Sequence, residues 1–270
     1  MPLRRNVSVD LQLALMAVDD RGSQRTRRLD GRRCLVTGSA RGIGLDIAAT
    51  LRAEGAVVAL LDVDPAVKQV AADLDAAAVA MADLADPDAT ATAVSSLIAA
   101  MGGVDVLVNN AGIFRLTPVL ELTVAEWDTM FAVNVRAMLV TSQVAARSMI
   151  AAGHGGKIVN LASMAAKVPA AHLAHYAASK AAVVSLTQTL AVELGPHGIT
   201  ANSVCPGFVL TDMGADTRTD TDIAAWRARS PLGRLAEPAD VSAMVVFLAS
   251  ADGDYCTGQA MNVTGGMVMH

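Results

Sequence analysis

Cysteine is scarce: Cys34, Cys205 and Cys256 are the three in 270 residues, far apart and without a C-x-x-C pair. That excludes a disulfide-framed scaffold and leaves free, buried thiols in a reducing compartment as the expectation. No histidine, cysteine and carboxylate residues fall at metal-ligand spacing, so no metal site is expected. No apolar run reaches the roughly 20 residues of a membrane span. The stretch LQLALMAV at 11–18 follows Arg4-Arg5 but is bordered by Asp10 and Asp19-Asp20. It lacks a small-x-small cleavage site and is not read as a secretory signal, so a cytoplasmic location is expected. A positive excess is also missing. A formal charge of −5 offers no electrostatic case for binding nucleic acid or a membrane surface.

What the chain does have is apolar content, 53% of residues, much of it alanine. With this length it can bury a large core. Charge is uneven: residues 1–33 hold eight arginines and four aspartates, a net of +4 that leaves −9 for the rest. Residues 1–28 are therefore read as an arginine-rich, solvated N-terminal extension, and 29–270 as a single domain.

From residue 33 the chain alternates. Short β-branched strands are expected at Cys34–Thr37, Val57–Leu61, Val79–Met81, Val104–Asn109, Lys157–Leu161, Ile199–Val204 and Ala260–Val263. Helices are expected between them: Gly42–Glu54, Pro65–Asp73, Pro87–Met101, one long helix over Thr123–Ala152, His175–Leu194 and Pro238–Ala249. Thr123 and Glu126 have capping-box spacing, Pro65 suits a first helical turn, and Gly195-Pro196 is a stop. Such alternation means an α/β fold, a single doubly wound Rossmann-type domain: a seven-stranded, mainly parallel sheet with helices on both faces. No repeat or linker interrupts 33–270. Phe208–Ser230 reads as a long loop, a natural substrate lid.

The stretch VTGSARGIG at 36–44 joins the first strand to the first helix. Its glycines let backbone N–H groups approach a pyrophosphate at a helix N-terminus. Asp62 closes the second strand, 18 residues beyond Gly44, where a ribose diol acceptor belongs. A carboxylate there accepts from a 2′-hydroxyl and repels a 2′-phosphate. Arg41 pulls the other way unless it is solvated or paired with Asp62 or Asp64. NAD is expected, with NADP as the alternative.

Tyr176-Ala-Ala-Ser-Lys180 is the chemical counterpart. Tyrosine and lysine at i and i+4 share a helix face, and an ammonium beside a phenol favours the phenolate. Such a pair can exchange a proton with an alcohol or carbonyl. Taken with TGSARGIG at 37–44, NNAG at 109–112, Asn134 in NVRA, Ser163 in NLAS and Pro206-Gly207, this chain resembles the short-chain dehydrogenase/reductase family from about Leu29 to its end. The 13 residues from Ser163 to Tyr176 match the family spacing.

The resemblance implies roles. Tyr176 is expected as general acid/base. Lys180 would lower its pKa and hold the nicotinamide ribose. Ser163 would bond the substrate oxygen. Asn134 would kink its helix and hold a water leading to Lys180. Gly38, Ser39, Arg41, Gly42, Ile43 and Gly44 would form the phosphate turn, with Asp62 and Val63 at the adenosine ribose. Asp83 and Leu84 would meet adenine, Asn110, Ala111 and Gly112 the adjoining ribose, and Pro206, Gly207, Val209 and Thr211 the carboxamide. The resemblance is nearest to bacterial polyol and sugar-alcohol dehydrogenases. It implies hydride transfer between a small secondary alcohol, of polyol or diol type, and its ketone. Homotetramers are usual in the family, through helices like Thr123–Ala152 and His175–Leu194 and the last strand, and Gly266–His270 would suit a subunit contact. An NADPH-dependent 3-oxoacyl-carrier-protein reductase and a non-catalytic nucleotide-binding scaffold are the alternatives. Met213, Phe208, Phe114 and Trp226 are candidate pocket walls. His172 and His175 lie near Tyr176 without a role the family requires. Cys205 reads as a buried strand-end residue.

Overall fold

The computed structural model describes residues 27–211 and 219–270. Nearly all of the expected N-terminal extension, and the candidate wall residue Met213, lie outside them. The chain runs β1 (Arg33–Thr37), α1 (Gly42–Ala53), β2 (Val57–Asp62), α2 (Val67–Asp73), β3 (Ala78–Met81), α3 (Pro87–Ala100) and β4 (Val106–Asn109). It continues through α4 (Val124–Phe131), a π turn (Ala132–Arg136), α5 (Ala137–Ala152), β5 (Gly156–Leu161) and α6 (Ala174–Leu194). β6 (Ile199–Pro206), α7 (Asp220–Arg229), α8 (Pro238–Ala249) and β7 (Ala260–Val263) complete it.

The strands form one sheet in the order β3-β2-β1-β4-β5-β6-β7, every pair parallel. Successive side chains of a strand face opposite layers. In β1, Cys34 and Val36 enter the layer of α1 and α8, while Leu35 enters that of α3 and α5. Both sides are apolar because both are covered, which is why these strands read as continuous hydrophobic runs. The edge strand β3 departs from that reading. Its Val79 and Met81 are exposed, at the edge of the sheet where coverage is incomplete.

Strand order reverses between β1 and β4, which lie side by side with Val36 opposite Val108. A crevice at the carboxyl ends of strands belongs at such a point. At the other end, Arg33 clamps the two strands. Its Nε and Nη2 donate to Asp105 at 2.9 and 2.7 Å, and its backbone N–H adds a third bond at 2.8 Å.

Three expectations change. The long helix over Thr123–Ala152 is capped as read, with Thr123 and Glu126 exchanging both capping-box bonds, but it is broken by the π turn at 132–136. The first turn after Pro65 is not yet helix, and α2 begins at Val67 with Ala66 as its cap. The supposed loop over Phe208–Ser230 contains α7, whose Thr219 and Asp222 form a capping box. Thr219 and Asp222 have that box's spacing, with aspartate in place of the usual Glu or Gln. The C-terminus folds back on its own chain, with Val268 buried and Met269 exposed.

Candidate active site

The turn after β1 is shaped by close approach. Gly38 has φ +67°, and a Cβ there would lie 2.7 Å from the Ala111 Cα. A Cβ on Gly44 would collide with the Gly38 carbonyl oxygen. Only glycine fits this fold-back. Arg41 is the N-cap of α1 but gives it no side-chain cap. The N-terminus of a 12-residue helix is thus left to an anion, where aligned backbone dipoles attract a pyrophosphate. Asn110 steadies the turn, donating through Nδ2 to the carbonyls of Thr37 and Gly38 at 3.1 and 2.9 Å. The Thr37 hydroxyl accepts from the backbone N–H groups of Asn110 and Ala111. Ser39 is buried beneath it, and Thr211 faces Gly42 across the cleft mouth.

Asp62 stands at the tip of β2. One carboxylate oxygen accepts from the Ala40 N–H at 2.8 Å, the other from the Asp64 N–H at 2.9 Å. Each keeps acceptor capacity for a ribose hydroxyl. Arg41 is exposed, and among the described residues it pairs with neither Asp62 nor Asp64. Val63 is exposed beside Asp62 and Leu84 is buried, while Asp83 caps its own turn by accepting from the Ala85 N–H.

The second half of the cleft is carried by the ends of β4, β5 and β6 and the start of α6. The π turn presents Asn134, fully buried. Its Oδ1 accepts from the Ile113 N–H at 2.8 Å and its Nδ2 donates to the Ile113 carbonyl at 3.0 Å. A side chain that engages a neighbouring backbone this way accounts for the local change of helix type. Nδ2 also donates to the Ser179 hydroxyl at 3.1 Å, which donates in turn to the Tyr176 carbonyl. Gly112 is the common neighbour: a Cβ there would lie 3.2 Å from Asn134 Oδ1 and 3.4 Å from Lys180 Nζ.

Ser163, after β5, caps a short 3-10 turn through the Ala165 N–H, and its hydroxyl hydrogen-bonds the Tyr176 phenol. Lys180 is buried and donates to the Leu161 carbonyl at 2.8 Å. Its Nζ sits 5.8 Å from the Tyr176 ring centre. Desolvation raises the phenol's pKa and the Ser163 bond pulls it back in part. Burial pushes Lys180 itself down to about 8. Without a charged partner, the protein disfavours the ionised form of both groups.

A cleft of about 390 Å³ joins these parts. Phe114, Phe208, Val209 and Trp226 line it with Ile43, Pro206, Gly207 and Thr211. His175 is buried with both ring nitrogens unpaired, and neither it nor His172 lines the cleft. Cys205 is buried at the end of β6, its thiol raised by burial and accepting from the Ser163 N–H. Sequence reasoning missed a polar chain behind the site: Asn109 bonds Ser142, Asn160 and Thr141, and Asn160 bonds Thr187. Single polar residues inside apolar runs were its only signal. It also missed Leu116, Met164, Leu173 and Asp222 as cleft walls.

Known proteins share this architecture. A family model described as enoyl-(acyl carrier protein) reductase matches residues 38–268. The sorbitol dehydrogenase of Cereibacter sphaeroides is 40% identical over 253 residues, covering 88% of this chain and 98% of that protein. The galactitol 2-dehydrogenase of Agrobacterium fabrum is 40% identical over 263 residues, with the same coverage, 88% and 98%. A crystal structure from Beutenbergia cavernae, assigned as an NAD(P)-dependent gluconate 5-dehydrogenase with NADP at low occupancy, superposes with a TM-score of 0.86. It has 39% identity and covers 90% of this chain and 99% of that one.

Proposed function

The chain belongs to the short-chain dehydrogenase/reductase family, and from that premise we propose that it interconverts a secondary alcohol and its ketone with Tyr176 as the proton-transfer group. One observation carries this reading: Ser163, Tyr176 and Lys180 line one cleft that runs back to the glycine turn. The relatives' names, sorbitol and galactitol dehydrogenases, support polyols as the first alcohols to try, with diols beside them.

The glycine cradle and the uncapped N-terminus of α1 fit a dinucleotide pyrophosphate. Gly38, Gly42, Ile43 and Gly44 would hold it, with Asp62 on the adenosine ribose and Lys180 on the nicotinamide ribose. When bound, the nicotinamide accepts or gives the hydride. The protein's task is orientation and the proton. Ser163 bonds the substrate oxygen and holds it beside the Tyr176 hydroxyl. In oxidation Tyr176 takes the alcohol proton, and in reduction it returns one to the carbonyl oxygen. Lys180, facing the ring and fixed by Leu161, would pass the proton to a water held by Asn134 and so to solvent.

NAD is the preferred form, because Asp62 stands where a 2′-phosphate would have to sit. The exposed Arg41 leaves NADP as the poorer ligand. A homotetramer is supported by apolar side chains left open on α4, α5 and α6: Val124, Leu139, Ile150 and Val192. Among the described residues no helix is long and apolar enough to cross a membrane, in keeping with a cytoplasmic enzyme. A steady-state screen of polyols, diols and ketones with NAD(H) and NADP(H) tests the whole reading. Turnover with NAD(H) is expected. Selectivity for NADP(H) would refute the assignment of Asp62, and turnover by Tyr176→Phe near the native rate would refute the mechanism.

A further inference from the structure

The wall facing the Ser163–Tyr176 pair restricts the carbon skeleton of the substrate. Its chain neighbours are apolar. Phe114 packs edge-on against the Tyr176 ring, centres 5.0 Å apart at 85°. Met164 directly follows Ser163, and Leu173 lies one residue before α6. Leu116 adds an exposed side chain to the same cleft. From the opposite side come Phe208 and Trp226, ring centres 5.3 Å apart and tilted by 31°.

Polar groups in the cleft are placed differently. Asn110 and Thr211 belong to the glycine turn, and Lys180 faces Gly112. Among the described lining residues that leaves Asp222 beyond the reacting pair. One of its oxygens, Oδ2, is already engaged, accepting from the Thr219 N–H and hydroxyl at 2.8 Å each.

A hexitol carries a hydroxyl on every carbon. Those set against Phe114 and Leu173 would trade water for side chains that offer no hydrogen bond, which is costly. A hydrocarbon arm in the same place gains by leaving water. We propose that the substrate is an amphiphilic secondary alcohol, or its ketone. It would carry oxygen at the reacting carbon and at most one neighbour, with an alkyl arm along this wall. The inference rests on the secondary-alcohol reading above and narrows it.

The test compares six-carbon substrates with the full-length enzyme and saturating oxidised cofactor. The kcat/KM for 2,3-hexanediol should exceed that for sorbitol and galactitol at least ~10-fold, the scale on which apolar pockets discriminate. Trp226→Ala should lower kcat/KM for 2,3-hexanediol more than for 2,3-butanediol, through KM. Leu116→Gln, on a second element, should narrow the gap between hexanediol and hexitol. Equal or better turnover of the hexitols would overturn the apolar-arm inference while leaving the secondary-alcohol reading intact. Absence of turnover with every alcohol and oxidised cofactor, and with every ketone and reduced cofactor, would overturn that reading as well.

Discussion

The two sides of the cleft are held by different kinds of interaction. The side formed by the ends of β1, β4, β5 and β6 with α6 is fixed by buried bonds. Asn134 is tied to Ile113 and Ser179, Lys180 to Leu161, and Asn110 to the Thr37–Gly38 turn. The side formed by α7 has no buried residue of its own. It is held by its capping box, by Trp226 against Phe208, and by the Arg229 guanidinium 4.3 Å above the Trp226 ring. A reacting group must stay within a fraction of an ångström of its working geometry, so it belongs on packed elements. A wall that admits and releases substrate belongs to the weakly packed part of a fold.

Substitutions on the first side should have the larger effects. Tyr176→Phe should lower kcat about 10³-fold for both directions with an unchanged melting temperature, since it removes only the hydroxyl. Survival of activity in a stopped-flow assay would move the proton transfer elsewhere. Gly44→Ala should cost at least ~2 kcal/mol in denaturant unfolding and weaken dinucleotide binding, because the added carbon meets the Gly38 carbonyl. Arg33→Ala, far from the cleft, should cost about 2 kcal/mol by leaving the buried Asp105 without its partner, with kcat retained.

Lys180 sharpens the contrast because it should trade stability for function. Burial lowers its pKa from 10.5 to about 8, so between those values the unfolded chain holds more protons than the native one. Stability of the native enzyme should therefore rise with pH through that window. Lys180→Met should raise the melting temperature at pH 7 while lowering kcat, and the gain should fade towards pH 10. A loss of stability at pH 7 would show that the bond to Leu161 outweighs the buried charge. Oxidation should speed up with rising pH, since burial raises the phenol's pKa and the deprotonated form is the one that accepts the proton.

The smallest effect belongs to the other side. Thr219→Ala removes a cap worth ~1 kcal/mol to α7. Amide exchange across 220–229 should quicken while global unfolding is unmoved. If the melting temperature falls instead, α7 is part of the cooperative core and the contrast between the two sides collapses.

Both the alternation of strands and helices and the pairing of Tyr176 with Lys180 were legible because they depend on local spacing, while Ser163 came from the resemblance. Strand and helix periods announce a doubly wound sheet, and an i, i+4 pair on a helix shares a face wherever that helix lies. α7 escaped because its apolar residues, grouped at Ile223–Trp226, form no stripe along the helix. The break at Asn134 was expected from the resemblance alone, because its partner, the Ile113 backbone, is 21 positions away and leaves no mark on local spacing.

By itself, then, the sequence determined the α/β alternation, the glycine turn after β1 and the pairing of Tyr176 with Lys180. Each follows from chain stereochemistry over a few residues. Only the tertiary structure decided how those groups are charged and what they face. Burial, which no local spacing encodes, raises Tyr176 and lowers Lys180. The wall opposite them is assembled from Phe114, Leu173 and Trp226, segments that meet because the sheet brings its strand ends to one crevice.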